Sequence, residues 1–206
     1  MRWLMVVAIL MCSGCVPVVQ HGPWVRRGMS GTLSGGAGIS ANTDGASPFF
    51  TFDGSMRAAV QTNDSLHTGL SLGVQLPLMA VLAIGEESNV DDPFGFLRLL
   101  HFDGYVTGPV INGVNTAAGL TVSEFHIMPY VQAGRYDRDY VSFAAMFVRE
   151  SDVFIAAPSY TMLRRNGERS STMITLTAGV GRGDSETVFL GGITLGLEFH
   201  GKNARP

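Results

Sequence analysis

The stretch "ETVFLGGITLGLEF", Glu186–Phe199, alternates between two unlike sets of side chains. Every second residue from Thr187 belongs to an apolar series that ends at Phe199, whereas the residues between them shrink to Gly and Thr and end at Glu198. Successive side chains of a β-strand point to opposite faces of the sheet, so the pattern predicts one strand with a greasy face and a small polar face. The greasy face must lie against either a protein core or lipid.

The same alternation recurs along the chain and predicts eight antiparallel strands in all. The other seven segments are residues 28–40, 49–61, 67–78, 124–136, 140–150, 153–165 and 172–183. These runs are about 11–14 residues long. Strands of globular proteins average about five to six residues, whereas a tilted strand that crosses a bilayer needs about nine to eleven. The lengths therefore favour membrane-spanning strands.

One connection is long, from about Met79 to Ser123, and is predicted to be an extracellular loop. Within it, Asp92 is suited to cap a short helix that starts at Pro93. The stretch "YVTGPVINGVNTAAGLTV" also permits a hairpin around Asn112-Gly113, which would add two strands. Eight strands, with one short helix in the long loop, is therefore the main prediction and ten strands the alternative.

The composition distinguishes lipid from a protein core. Charged residues make up 15% of the 206 residues, against roughly 25% in ordinary soluble domains, and the only lysine is Lys202. Gly, Ser and Thr on the polar faces suit the narrow interior of an eight-stranded barrel. An open sheet edge in lipid would leave backbone groups unpaired, so the sequence predicts an all-β, up-and-down transmembrane barrel that is closed between the last strand and residues 28–40.

The N-terminal stretch "MRWLMVVAILMCSGC" has one cation, Arg2, followed by a short apolar run, which is typical of a secretory signal peptide. Its end, "CSGC", resembles the lipobox of bacterial lipoproteins. The resemblance implies that residues 1–14 are removed, that Cys15 is acylated, and that residues 15–27 form a tether. Val16, rather than Asp, after the cysteine implies sorting to the outer membrane. No thiol would then remain for a disulfide or a metal site.

Residues 28–199 resemble the small eight-stranded outer-membrane β-barrel proteins of Gram-negative bacteria, and "GITLGLEF" resembles the assembly signal of that class. The resemblance implies contact with outer-membrane lipids, a periplasmic tail at 200–206, and a partner surface on the 79–123 loop. On this topology Arg149 and Arg182 face outward near the outer rim. They are candidate contacts for lipopolysaccharide phosphates, or plain rim charges.

Several charged or titratable side chains are predicted to point into the lumen, where burial requires them to pair. This lumen cluster consists of Asp53, Arg57, His67, Glu124, His126 and Glu198. A structural ion-pair network is the simplest interpretation. The five histidines lack metal-ligand spacing, and no cofactor motif is present, so neither a metal nor a cofactor is expected. The net charge of -3, with no basic run, also argues against nucleic acid.

The predicted function is a non-enzymatic outer-membrane barrel with a structural or surface-interaction role and no catalytic residues. The resembling class also includes lipid A deacylating and acylating enzymes, so a lipid-modifying enzyme is one alternative, with Ser123, Glu124 and His126 as its residues. No G-x-S-x-G elbow supports it. The second alternative is a soluble, lipocalin-like periplasmic lipoprotein, since "GPW" (22–24) resembles the lipocalin Gly-x-Trp opening.

Overall fold

The computed structural model describes residues 19, 21–24, 28–43, 45–61, 67–77, 100–108, 110–124, 126–149, 153–183 and 186–201. They contain ten strands. These are β1 Gly28–Asn42, β2 Gly45–Gln61, β3 His67–Pro77, β4 Leu100–Thr107, β5 Val114–Ser123, β6 His126–Arg135, β7 Tyr140–Val148, β8 Phe154–Arg165, β9 Ser170–Gly183 and β10 Glu186–His200. Within this part of the chain no helix is long and apolar enough to cross a membrane.

The strands form one closed antiparallel barrel in which each strand pairs with its neighbours in sequence and β1 pairs with β10. Leu33 of β1 lies opposite Leu197 of β10, which confirms the predicted closure against residues 28–40. Closure removes both sheet edges. Because the strand number is even, β1 begins and β10 ends at the same end of the barrel, here called the terminal rim. The opposite end, where β1 turns into β2, is called the far rim.

The main prediction of eight strands is wrong, and the alternative of ten is confirmed. The two additional strands, β4 and β5, lie within the range assigned to the long loop, 79–123. Asn112 and Gly113 join them with φ of 52° and 75°, and Ile111 and Val114 exchange hydrogen bonds of 3.0 and 2.9 Å. Positive φ at both central residues is the geometry of the tight hairpin turn that Asn-Gly favours. The helix predicted at Pro93 lies outside the described residues.

The two faces of the barrel have opposite polarity. Large apolar side chains cover the outside, where Leu70 is 67% exposed and Phe189 is 60% exposed. Inside, Ser, Thr and charged side chains are buried, among them Thr194 and Glu198 of the opening stretch. A soluble barrel has the reverse arrangement, with apolar residues inward. The predicted greasy face of β10 is therefore its exposed outer face.

Aromatic rings inside the barrel lie across glycines of the neighbouring strand. Tyr105 is the register partner of Gly69, and Tyr130 is that of Gly119. A Cβ atom built on either glycine would overlap the partner ring. The same relation joins His101 to Gly73 and Phe49 to Gly38. Glycines on the polar faces therefore make room for flat rings in the lumen.

Part of the chain before β1 lies in the lumen. Val19 and residues 21–24, from the range predicted as a tether, are all buried. Val19 belongs to an interior apolar cluster that includes Tyr105 and Tyr130. Residues 21–24 are referred to below as the plug. The attachment of this segment to a lipid stays a prediction, since Cys15 lies outside the described residues.

Candidate functional site

The plug is held at mid-lumen by His21. The Tyr130 hydroxyl donates to Asp103 Oδ1 at 2.8 Å, and its oxygen lies 2.7 Å from His21 Nε2, which donates to it. The same nitrogen lies 3.3 Å from Asp103 Oδ2. The imidazole stacks on Tyr105 with ring centroids 4.2 Å apart, and Gln132 Nε2 donates to the His21 carbonyl at 2.6 Å. β4 and β6 therefore bind His21 through a stacked ring and three polar contacts, two to its imidazole and one to its backbone carbonyl.

Trp24 forms the second attachment of the plug, close to the terminal rim. The centroid of its indole lies 5.6 Å from that of the Tyr140 ring, to which it is edge-on. It lies 5.9 Å from the centroid of the Tyr136 ring, to which it is tilted. With Tyr140, Leu163 and Met173 it makes a separate buried apolar cluster. Gly22 has no room for a side chain, because an added Cβ would overlap the Trp24 ring.

A charged network continues along the lumen wall from the plug. Arg57 Nη1 lies 3.6 Å from Glu198 Oε1, and its guanidinium carbon lies 5.7 Å from the centre of the Tyr105 ring. His200 Nε2 lies 3.6 Å from Glu198 Oε2. Tyr105 is therefore contacted by both the plug imidazole and Arg57. Buried charges of this kind are stable only when they are paired, and this wall supplies the pairs.

The structure brings part of the predicted lumen cluster inside. Asp53, Arg57, His126 and Glu198 are buried and inward, and Arg57 pairs with Glu198. Asp53 lies 3.7 Å from His101 Nδ1, through its Oδ2.

Glu124 does not belong to the lumen cluster. β5 ends at Ser123 and β6 begins at His126, so Glu124 lies in the tight turn between them and is exposed. The predicted strand 124–136 therefore begins two residues too early. The alternation that would have pointed Glu124 inward does not apply in a turn. The side chain of His67, at the start of β3, lies outside the described part of the structure.

Ser123 and His126 face each other across that turn. Ser123 Oγ lies 2.9 Å from His126 Nδ1 and accepts from the His126 backbone N–H at 3.1 Å. The distance between hydroxyl and imidazole matches that of a nucleophile and its base. The backbone contact also explains the pair as a turn closed by a serine side chain, a common local motif.

The most important plug contacts were missed from the sequence. Asp103, Tyr105, Tyr130 and Gln132 are all inward residues of β4 and β6. The first two would have been found if "LHFDGYVT" had been assigned to a strand, because they follow its alternation. His21 carries no such signal, since the segment before β1 has neither strand nor helix periodicity.

Charged side chains also lie at both rims of the barrel. Arg149 and Arg182 are exposed near the far rim, where Asn42 Nδ2 also donates to Glu186 Oε2 at 3.0 Å. At the terminal rim Asp139 accepts from the Tyr160 hydroxyl at 2.8 Å, from Leu163 N–H at 3.1 Å and from Arg164 at 3.0 Å. Slight desolvation raises the pKa of Asp139, but these hydrogen bonds and the charge of Arg164 outweigh it and hold the pKa below its usual value.

Among the described residues no three His, Cys, Asp or Glu side chains converge to hold a metal. No protein-family model matches the chain, and no curated protein matches it significantly.

Several solved structures align with the chain at low similarity. The KdgM porin is 6% identical with a TM-score of 0.39, over 84% of this chain and 99% of the porin. Neisserial surface protein A is 7% identical with a TM-score of 0.35, over 85% and 99%. The CymD monoaromatic hydrocarbon channel is 8% identical with a TM-score of 0.36, over 89% and 91%. TM-scores below 0.5 carry no weight for function, which must be inferred from the barrel itself.

Proposed function

We propose that this chain is an integral β-barrel of the Gram-negative outer membrane with a non-enzymatic, structural or surface-interaction role. The observation that supports this is the apolar outer face of a closed barrel. Each of the ten strands carries at least one exposed Leu, Ile, Val, Met or Phe side chain. Moving one such side chain out of water is favourable by about 1.5–3 kcal/mol, so this surface is stable in lipid and costly in water.

The polarity of the lumen supports the same conclusion over the soluble alternative. A lipocalin-like barrel keeps an apolar interior and a charged exterior, and here Asp53, Asp103 and Arg57 are inside. Irregular backbone and open edges are excluded from hydrocarbon, and closure of β1 on β10 satisfies that requirement.

The proposed orientation follows from the even number of strands. The terminal rim lies in the periplasm, which puts the far rim and the connection 78–99 outside the cell. Longer loops on the extracellular side are usual in such barrels. The connection 78–99 and the short turns beside it are the proposed surface for an envelope or extracellular partner.

Arg149 and Arg182 are proposed to contact lipopolysaccharide phosphates, because both are exposed cations near the far rim. The double variant R149A/R182A is expected to bind lipopolysaccharide more weakly in a detergent pull-down. The control is the substitution Arg169→Ala, which removes an exposed arginine at the terminal rim. Equal binding by both variants and the unsubstituted protein would exclude this contact.

Membrane integration is tested by carbonate extraction together with heat-dependent mobility in detergent gels. The full chain is expected to stay in the membrane pellet at alkaline pH and to migrate faster unboiled than boiled, because the closed ladder of ten strands resists detergent. Release into the carbonate supernatant would reject the proposed function.

A lipid-modifying enzyme is a second candidate because Ser123 Oγ and His126 Nδ1 lie 2.9 Å apart near the membrane surface. A serine made nucleophilic by this imidazole should react with a fluorophosphonate probe, and His126→Ala should abolish the reaction. On the non-enzymatic proposal the protein stays unlabelled. Labelling that depends on both Ser123 and His126 would replace that proposal with a hydrolase.

A further inference from the structure

The lumen of this barrel is too wide to be filled by its own wall. Barrel diameter grows roughly linearly with strand number, and eight strands leave an interior just wide enough for side chains. Ten strands make the barrel roughly a quarter wider on that scale. In this chain Val19 and the plug occupy the additional space and are buried there. The interior is therefore closed partly by a segment that is not a member of the sheet.

The wall around His21 is polar, which is unusual for a surface that serves only for packing, whereas Trp24 lies in an apolar cluster. His21 lies against Asp103, Tyr130 and Gln132, and none of these is an apolar filler. Further along the wall several buried polar atoms have no hydrogen-bond partner among the described residues: Ser34 Oγ, Asp53 Oδ1, Gln132 Oε1, Ser171 Oγ and Thr177 Oγ1. Buried polar atoms of this kind are normally satisfied by water. The wall would therefore be wetted if the plug left.

The contacts of the plug can be broken without damage to the barrel. Residues 21–24 precede β1 and contribute no pair to any of the ten strand ladders. His21 and Trp24 hold the plug through noncovalent contacts. Loss of these contacts costs no inter-strand hydrogen bond. The plug and the sheet are therefore separable structural units.

We propose that residues 21–24 are a displaceable plug and that the lumen they close is a water-filled, cation-selective pore for inorganic cations and small cationic solutes. This inference rests on the proposed membrane location but adds a transport activity to it. It requires two properties, a plug whose loss opens the lumen and a lumen whose charge selects the ion.

The charge of the lumen gives the selectivity. Among the buried side chains of the described strands, three carboxylates, Asp53, Asp103 and Glu198, outnumber the single guanidinium of Arg57. When the plug leaves, Asp103 loses the contact of its Oδ2 with His21. Glu186 lies at the far rim on the inward-facing side of β10. Carboxylates that line a low-dielectric passage concentrate cations and repel anions.

The test is conductance of the full-length protein in a planar lipid bilayer. The unsubstituted barrel is expected to be mostly closed. H21A/W24A is expected to conduct continuously, because the ring contacts of both attachments are removed and only the Gln132 hydrogen bond to the backbone carbonyl of residue 21 remains. Tyr130→Phe is a milder change that removes the hydroxyl bonded to His21 and keeps the ring. Loss of this hydrogen bond is expected to raise the open fraction about tenfold. In a KCl gradient the reversal potential should lie between zero and the equilibrium potential of potassium. Asp53→Asn should move the reversal potential towards zero.

The control is Tyr160→Phe, which also removes a tyrosine hydroxyl that donates to an aspartate at 2.8 Å, but on the outside of the barrel. It should conduct like the unsubstituted protein. Heat-dependent mobility of each variant establishes that the barrel is folded, so failure of the membrane proposal is distinguished from failure of this one. A folded H21A/W24A that stays closed, a Tyr130→Phe no more open than Tyr160→Phe, or an anion-selective pore would each overturn the proposal.

Discussion

At the scale of single residues, the lumen is organised by glycines that face aromatic rings. Tyr130 shows the consequence, because its ring lies over Gly119 while its hydroxyl joins Asp103 to His21. The backbone space at one glycine therefore determines where a hydroxyl on the next strand can hold the plug. A sequence reveals that glycine is frequent on the polar faces, but it does not reveal which ring each glycine accommodates.

Gly119→Ala is expected to destabilise the barrel, because the added methyl group would overlap the Tyr130 ring and approach Tyr105 Cβ. Overpacking of this kind costs about 1–3 kcal/mol. The measurement is the urea midpoint of the protein in lipid vesicles. Gly191→Ala is the matched control, since nothing lies within 4 Å of an added Cβ there. Equal midpoints for the two variants would show that the ring is not confined by Gly119.

The carboxylate of Asp139 is expected to make stability at the terminal rim depend on pH. Its pKa in the folded barrel lies below the ordinary value of 3.8, so its contribution is present above that value and is lost as the pH falls through the folded pKa. Asp139→Asn should therefore be less stable than the unsubstituted protein at neutral pH, and the difference should shrink in acid. Urea midpoints at neutral and acidic pH measure this. A difference that stays constant over that range would contradict the assigned hydrogen bonds.

At the scale of elements, the strands were predictable because each has one face towards the polar lumen and one towards the apolar outside of the barrel. All eight predicted segments correspond to observed strands, and β10 closes the barrel as expected. β4 and β5 were given only as an alternative, because β4 is short and follows a range with no clear pattern. Pro158 lies within β8, although proline has no N–H to donate to a strand ladder. It is tolerated in β8 with its ring exposed on the outer face, and the paired positions of the β8–β9 ladder omit Ala157 and Pro158.

A charge in the middle of β10 is expected to be costly if its outer face contacts lipid. Ile193 lies near the centre of the strand and is exposed on the outside. Ile193→Arg should lower the free energy of unfolding in vesicles by about 2–4 kcal/mol, the usual cost of arginine at the bilayer midplane. Met29→Arg, on the same face at the terminal rim, should cost no more than about 1 kcal/mol. Two variants as stable as the parent would indicate a water-exposed surface.

At the scale of the whole molecule, three features together describe the barrel. The sheet closes on itself, its outer face is apolar, and residues 21–24 lie in the lumen. Closure and outer polarity determine where the molecule is stable. On our proposal residues 21–24 determine whether the interior is open or closed, through side-chain contacts with the wall and without strand pairing.

The lipid anchor and the barrel are expected to be independent. Cys15→Ala should abolish palmitate labelling, because the resemblance to a lipobox assigns acylation to that thiol. Heat-dependent mobility should be unchanged, since ladder pairing from β1 to β10 does not involve the N-terminal segment. Labelling that persists in Cys15→Ala would reject the lipobox assignment, whereas loss of the mobility shift would contradict independent folding.

The sequence by itself determined the fold class, the direction of most strand side chains and the closure of the barrel. It could do so because alternate residues of a strand face opposite sides of the sheet, so that a difference in polarity between the two sides appears as a period of two in the sequence. Only the tertiary structure decided the number of strands, the exclusion of Glu124 from the lumen and the entry of His21 and Trp24 into it. Those features depend on contacts between residues far apart in the chain, such as His21 with Asp103, or on where a turn falls, and neither leaves a local periodicity.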